Sequence, residues 1–141
     1  RLTDVPMVVH CCHCSWCQRE TGSAFVINAL IERDRLEVTG DPEPVMTPSA
    51  SGKGQEIFRC PDCHVALWSH YPGAGRKSAF VRVGTMDDPA QCPPDVHIYT
   101  STRQPWMVLP EDAKAFDDFY PSGEGIWPEQ GRARWLALTA G

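Results

Sequence analysis

Two groups of cysteines are the residues of this sequence best suited to chemistry. Cys12, Cys14 and Cys17 form a Cys-x-Cys-x-x-Cys arrangement, and Cys60 and Cys63 form a separate Cys-x-x-Cys turn. Thiolates bind zinc at about 2.3 Å, and a Cys-x-x-Cys turn can place two sulfurs on one ion because the loop curls back over it. The spacing therefore predicts zinc as a cofactor.

The spacing leaves two kinds of zinc site open. The two Cys-x-x-Cys turns could complete one closed four-thiolate site, which would be structural. Alternatively, Cys12, Cys14 and Cys17 (the cysteine trio) could bind an ion alone and leave a fourth position for water or a substrate, as catalytic zinc does. A thiol that reached this position would lose its proton and become a nucleophile.

Residues around the cysteine trio are weaker candidates for roles in the site. Cys11 is expected to be a small buried side chain that points away from the ion. His10 and His13 flank the cysteines and could bind metal, but the favoured expectation is that one supports the site as a hydrogen-bond donor and the other is exposed. Trp16 and Trp106 could line a substrate pocket, although aromatic side chains in a chain of this size more often belong to the core.

Composition limits the class of protein. A chain of 141 residues with 42% hydrophobic and 22% charged residues suits one domain with a modest core. The net charge of −5, with basic residues scattered along the chain, disfavours nucleic acid as a partner. Seven cysteines without a secretory signal favour metal binding in a reducing compartment over a disulfide scaffold. No apolar run reaches the roughly 18 residues of a membrane span, so we expect a cytoplasmic protein without a membrane partner.

The elements that must position the cysteines are mostly short strands. Thirteen prolines and eleven glycines favour many short strands over long helices. Hydrophobic patterning predicts strands at Val5–Val9, Ser23–Ile31, Leu36–Thr39, Gln55–Arg59, Val65–His70, Ala79–Val83 and Val96–Ser101. A loop is predicted over Pro44–Gly54, a loop or single helical turn over Cys12–Thr21, and helices over Glu111–Phe119 and Glu129–Leu138. The prediction is a mainly β domain with a helical C-terminal end.

Several motifs occur in an order that resembles a known family. The segment VVHCCHCSWCQRETGSAF is followed by FRCPDC, then by VRVGTMDDP, and finally by HIY and QPW. Together they resemble the signature of the glutathione-dependent formaldehyde-activating enzymes, also called the CENP-V/GFA domain. The resemblance covers roughly residues 1–121, and residues 122–141 form a tail with a possible short helix.

This resemblance implies a fold, an activity and a set of site residues. The fold would be a β-tent, two small antiparallel sheets pinned by zinc. The activity would be that of a carbon–sulfur lyase that adds the thiol of glutathione to formaldehyde, giving S-(hydroxymethyl)glutathione. Cys12, Cys14 and Cys17 would bind the catalytic zinc, and Cys60 and Cys63 would bind a structural zinc. The main alternative is a non-catalytic zinc-binding module on the same scaffold, and a weaker one is a thiol redox or metal-buffering role for the cysteine cluster.

The sequence departs from the family pattern around the structural zinc. The family takes two further ligands from a Cys-x-Cys that precedes the first strand, and this chain begins just after that position. Because the sequence does not open with methionine, we expect that this segment has been removed from it; if the protein truly lacks the segment, Cys60 and Cys63 could share a mixed site with Cys11 or part of the cysteine trio. His64 stands where the family usually has a glycine in the left-handed region, which histidine tolerates, and it could also be a replacement ligand.

A glutathione site is also expected to contain a cation for the two carboxylates of this small-molecule thiol. The candidates are Arg19, Lys53, Arg82 and Arg103. Each is more commonly a solvated surface charge. Cys92 lies in a proline-rich loop without a nearby ligand partner and is expected to be structural.

Overall fold

The computed structural model describes residues 1–141 and is mainly β, as predicted. The seven strands are β1 (Val8–Cys12), β2 (Val26–Glu32), β3 (Glu43–Thr47), β4 (Gln55–Arg59), β5 (Ala66–His70), β6 (Ser78–Arg82) and β7 (Val96–Ile98). The two α-helices are α1 (Ser15–Thr21) and α2 (Glu129–Thr139). Neither helix is long and apolar enough to cross a bilayer.

The strands form one hydrogen-bonded sheet, where two small antiparallel sheets were expected. Its order is β3-β4-β5-β6-β2-β1-β7. Strands β3, β4 and β5 are joined to the other four strands by the pairing of β5 with β6. This pairing has only two residue pairs, Trp68 with Val81 and Ser69 with Phe80. All neighbours are antiparallel except β1 and β7, which are parallel because a long irregular connection returns the chain from β6 to the far side of β1.

Both faces of the central strands are buried. All five residues of β1 are buried, and so are six of the seven residues of β2. One apolar cluster includes Leu30, Val96 and the cysteine trio, and the tail of the chain packs against it. The other cluster, on the opposite side, includes Ile31 and Trp68. The cysteine trio is thus built into the core.

The helix predicted over Glu111–Phe119 does not form. This segment instead runs beside β7, where the His97 amide donates to Lys114 O at 2.8 Å and the Phe116 amide donates to His97 O at 3.0 Å. The edge of β7 offers backbone groups that need partners, and pairing with them outweighs a short amphipathic pattern. The segment therefore covers an edge of the sheet.

Two further expectations about local structure are wrong. Leu36–Thr39 is not a strand, because the chain makes a 3₁₀ turn at Arg33–Arg35 and only Leu36 pairs, in an isolated bridge to Leu2. The predicted loop Pro44–Gly54 contains most of β3, which pairs with β4 as an edge strand. The remaining strands and the C-terminal helix agree with prediction within a few residues.

Helix α2 docks against the sheet at two points. Gly131 lies so close to β1 that a Cβ atom there would be 1.8 Å from the carbonyl oxygen of Met7. Arg134 forms hydrogen bonds with both carboxylate oxygens of Glu32 at the end of β2, and its Nη1 donates to Val5 O at 2.8 Å. The tail is thereby fixed to the same core that contains the cysteine trio.

Candidate metal centre and its cavity

The cysteine trio converges where β1 ends and α1 begins. Cys12 is the last residue of β1, Cys14 is the N-cap of α1, and Cys17 lies in the first turn of that helix. Their sulfur atoms all lie within 4.8 Å of one another, and all three residues are buried. Cys14 Sγ accepts a hydrogen bond from the Cys17 amide at 3.3 Å, which fixes the capping geometry.

The three thiols share protons unequally. Hydrogen bonds from the thiols of Cys12 and Cys17 lower the pKa of Cys14 to about 3. The hydrogen bond with Cys14, together with burial, raises the pKa of Cys12 to about 12, and the bonds with Cys12 and Cys14 also raise the pKa of Cys17. Three thiolates this close together would repel one another, so a divalent cation is the natural partner for full deprotonation. The donor set fits zinc.

A cavity of about 290 Å³ opens onto the cysteine trio. Aromatic side chains form much of its wall: Trp16, Tyr71, Phe80, Tyr99 and Phe119. The neutral polar residues on the wall are His10, Asn28, Ser49, Ser51 and Gln55. No Arg, Lys, Asp or Glu lines it, so the cavity suits a small, uncharged part of a ligand.

Asn28 is oriented by a buried cation behind the wall. Arg82 Nη1 donates to Asn28 Oδ1 at 2.6 Å. Because a guanidinium only donates, the acceptor must be the amide oxygen, and the NH₂ group of Asn28 remains free to donate. Glu20 lies 3.7 Å from Arg82 and 3.0 Å from Arg59, so its carboxylate is shared between the two guanidinium groups.

His10 is held as a neutral ring by a hydrogen-bonded chain. Trp127 Nε1 donates to Tyr120 Oη at 2.6 Å, and Tyr120 Oη lies 2.6 Å from His10 Nε2. Since the indole can only donate, the Tyr120 hydroxyl accepts from Trp127 and donates its own hydrogen bond to His10 Nε2. The single proton on the neutral His10 ring therefore lies on Nδ1. Burial lowers the pKa of His10 to about 4. His10 and His13 are both buried, so the expectation that one of them is exposed is wrong.

Cys60 and Cys63 lie apart from the cysteine trio and from Cys11. They form the tip of the β4–β5 hairpin, where Cys60 is half-buried and Cys63 is exposed, and their sulfur atoms are too far from those of the cysteine trio and Cys11 to share a metal ion with them. Backbone N–H groups of Cys63 and Asp62 lower the pKa of Cys60. The mixed site is therefore not formed, and the structural-zinc role of the pair stays a prediction. His64 has φ +63°, in the left-handed region that the family pattern predicted.

None of the four basic residues that were candidates for binding the glutathione carboxylates lines the cavity. Arg19, Lys53 and Arg103 are exposed, and Arg19 lies over the ring of Trp16, 5.2 Å from its centroid. Arg82 is buried, contrary to its expected place as a surface charge.

Burial distinguishes between the roles that were expected for Trp16, Trp106 and Cys92. Trp16 lines the cavity, whereas Trp106 is 69% exposed and belongs neither to the cavity nor to the core. Cys92 is buried in the second apolar cluster, as a structural cysteine would be.

Sequence reasoning missed most of the cavity wall. Asn28, Tyr71, Phe80 and Phe119 come from distant segments that sheet register and the covering chain bring to the cysteine trio. One signal was present for Asn28, because it is a polar residue inside the apolar run AFVINALI of a buried strand. The aromatic residues carried no such signal.

Comparison with known proteins identifies one family. The family model described as "Glutathione-dependent formaldehyde-activating enzyme" matches residues 1–102, which include β1 to β7 and every residue of the cysteine trio. No curated protein matches the chain.

Proposed function

The chain belongs to the glutathione-dependent formaldehyde-activating enzyme family, and on that basis we propose that it is a zinc-dependent carbon–sulfur lyase. It would add a glutathione-type thiol to formaldehyde or a related small carbonyl. The observation that carries this proposal is the convergence of the three buried sulfurs on a cavity of about 290 Å³.

The cysteine trio would hold the zinc ion. When bound, zinc would supply a Lewis acid that lowers the pKa of a thiol and polarises a carbonyl. The chain supplies three thiol ligands from one short segment, and no fourth Cys, His, Asp or Glu lies close enough to join them. This donor count is the one that catalytic zinc sites use.

The proposed reaction balances without an oxidant or reductant. The thiol sulfur attacks the carbonyl carbon, so a carbon–sulfur bond forms and one electron pair of the C=O bond moves to oxygen. The thiol proton ends on this oxygen, which becomes the hydroxyl group of the adduct. In the lyase direction, the same steps run in reverse.

Asn28 is suited to stabilise the oxygen on which charge develops. Its NH₂ group is free to donate, and the hydrogen bond from Arg82 fixes the orientation of the amide before any ligand binds. Preorganised donors of this kind stabilise a developing oxyanion more than they stabilise the neutral carbonyl. His10 contributes a neutral wall, since the Tyr120 hydroxyl engages its Nε2.

The test is the rate of thiol–formaldehyde exchange at equilibrium. Because the addition also proceeds without an enzyme, NMR exchange spectroscopy on a mixture of glutathione, formaldehyde and adduct should be compared with and without the zinc-loaded chain. We expect acceleration by the wild type and its loss in Cys14→Ser. Cys92→Ser, which changes a buried cysteine outside the trio, serves as the matched control. Equal acceleration by wild type and Cys14→Ser would refute the proposal in favour of a non-catalytic zinc module.

A further inference from the structure

A second group of metal-ligating side chains lies on the opposite face of β1 from the cysteine trio. It consists of Cys11, His13 and His97 (the Cys-His-His cluster), whose ligand atoms all lie within 4.8 Å of one another. Side chains alternate between the two faces of an extended chain, so Cys11 and His13 point away from the side that Cys12 takes.

The parallel pairing of β1 with β7 assembles this cluster. Cys11 is the register partner of His97, and the His13 amide extends the ladder by donating to Ile98 O at 3.0 Å. Cys11 is 1% exposed and His13 is fully buried, while His97 is half-buried. The rings of His13 and His97 stack on each other with their centroids 5.3 Å apart, and this packing fixes their orientations.

Two of the three separations between donor atoms match those of ligands to one zinc ion. His13 Nε2 lies 3.5 Å from Cys11 Sγ and 3.0 Å from His97 Nδ1. Tetrahedral zinc with bonds of about 2.3 Å to sulfur and about 2.05 Å to nitrogen would place sulfur and nitrogen about 3.6 Å apart and two nitrogens about 3.3 Å apart. Both separations made by His13 are within a few tenths of an ångström of these values, and the ligand atoms of Cys11 and His97 lie within 4.8 Å of each other.

Hydrogen bonding alone leaves the cluster incompletely satisfied. His13 Nε2 faces two partners but carries either one proton or one lone pair, so it cannot serve both Cys11 and His97 with a full hydrogen bond. The other ring nitrogen of His13, Nδ1, is buried without a partner and would carry the ring proton while Nε2 binds a cation. A cation would accept a lone pair from all three ligand atoms at once.

We propose that the Cys-His-His cluster is a second zinc site, distinct from the cysteine trio. One thiolate and two imidazoles are a donor set for a borderline divalent metal such as zinc. The fourth position falls to solvent, which can approach from the side where His97 is half-buried. The side chains of this cluster extend from the opposite face of β1, so both sites can bind a zinc ion at the same time.

The experiment measures zinc content and ligand type on the full 141-residue chain, loaded with zinc alone and then desalted. We expect Cys11→Ser and His97→Asn each to bind one zinc fewer than wild type, and Cys92→Ser to bind the wild-type number. Zinc-edge X-ray absorption of the wild type should show imidazole scattering, which persists in Cys17→Ser and disappears in His97→Asn. His64→Ala should keep that scattering, which excludes the hairpin histidine as its source.

Two results would overturn the proposal. One is a wild-type zinc spectrum with sulfur ligands and no imidazole, which does not depend on the folding of any variant. The other is an unchanged zinc content in folded Cys11→Ser. Neither measurement depends on turnover, so this site can fail while the proposed lyase activity stands, and the reverse also holds.

Discussion

The guanidinium of Arg82 lies behind the cavity wall and holds the amide oxygen of Asn28 at 2.6 Å. A hydrogen bond to a charged donor is short and strong, so the amide is fixed before a ligand arrives. The carboxylate that pairs with Arg82 belongs to Glu20, which is 3.7 Å away, is shared with Arg59 and does not line the cavity. The pair therefore presents a fixed neutral donor beside the cysteine trio.

Replacing Asn28 with Asp tests this role of the amide. Asp keeps an oxygen for Arg82 but removes both N–H donors, so the transition-state oxygen loses its partner. We expect kcat for thiol addition to fall by about 10²-fold, the loss that follows removal of one oxyanion donor. KM should change little, because the donor acts mainly on the charge that develops in the transition state. Steady-state kinetics on zinc-loaded Asn28→Asp provide the measurement.

A control is needed for the added negative charge in Asn28→Asp. Gln91→Glu adds the same charge at an exposed position away from the cavity, and its kcat should equal that of the wild type. Asn28→Ala removes the donors without adding charge and should lose activity as Asn28→Asp does. Full kcat in Asn28→Ala would show that the amide has no part in the reaction.

The uncharged cavity wall predicts tolerance for uncharged thiols. No Arg, Lys, Asp or Glu lines the cavity, so the carboxylates of glutathione would have to lie at its mouth or outside. We expect esterification of both carboxylates to change kcat/KM by less than about threefold, since no desolvated ion pair would be lost. Rates with glutathione and its diester under identical zinc loading provide the comparison. A loss of 100-fold or more would reveal a cation clamp that closes only on the bound ligand.

The convergence of the cysteine trio could be predicted from the sequence because its geometry is local. Cys12, Cys14 and Cys17 converge within a strand end and one helical turn, so spacing alone carries the information. The Cys-His-His cluster could not be found in the same way, because His97 meets Cys11 only through the parallel pairing of β1 and β7. Register between distant strands depends on the whole sheet and has no signature in a short motif.

Secondary structure could likewise be predicted only where the local pattern agrees with its tertiary surroundings. β4 and α2 lie where hydrophobic patterning predicts them, since each pattern agrees with its final surroundings. The amphipathic pattern of Glu111–Phe119 does not form a helix, because the unpaired edge of β7 offers hydrogen bonds along that segment. Tertiary pairing of this kind overrides a local preference worth a few tenths of a kcal/mol per residue.

Gly131 predicts a reversal of the usual effect of alanine in a helix. Alanine normally stabilises a helix by about 1 kcal/mol relative to glycine. In α2, however, the added Cβ would lie 1.8 Å from Met7 O, a backbone atom that cannot move without disturbing β1. We expect Gly131→Ala to lower the free energy of unfolding by about 1–3 kcal/mol, the range for overpacking. Urea denaturation measures this change.

Ala133 calibrates the helix propensity of the same element. It is exposed on α2, so Ala133→Gly should cost only the ordinary propensity difference of about 1 kcal/mol. Both substitutions are then expected to destabilise the protein, although they exchange the same two residue types in opposite directions. A stabilised Gly131→Ala variant would show that α2 can move away from β1 at little cost.

The ion pair between Glu32 and Arg134 predicts how stability depends on pH. Burial opposes ionisation of Glu32, but the hydrogen bonds from Arg134, a backbone amide and the nearby charge of Arg35 outweigh it and hold the pKa of Glu32 below its usual value. The unfolded chain has the ordinary glutamate pKa of about 4.3. The folded protein therefore gains stability from this group above about pH 4.3 and loses it as the pH falls through the lower folded pKa.

Glu32→Gln should remove this contribution. At pH 7 we expect the free energy of unfolding to fall by about 1.5–3 kcal/mol, because Arg134, whose side chain is 18% exposed, loses its charged hydrogen-bond partner and keeps only the carboxylate of Asp4, 4.0 Å away. Below the folded pKa of Glu32 the wild type and the variant should converge, since the wild-type carboxyl is then also neutral. Glu124→Gln makes the same change in an exposed pair with Arg132, where the carboxylate is 78% exposed, and should cost less than about 0.5 kcal/mol at any pH. A difference between wild type and Glu32→Gln that stays constant from pH 7 to pH 3 would show that the variant acts through packing of α2 and not through the charge of Glu32.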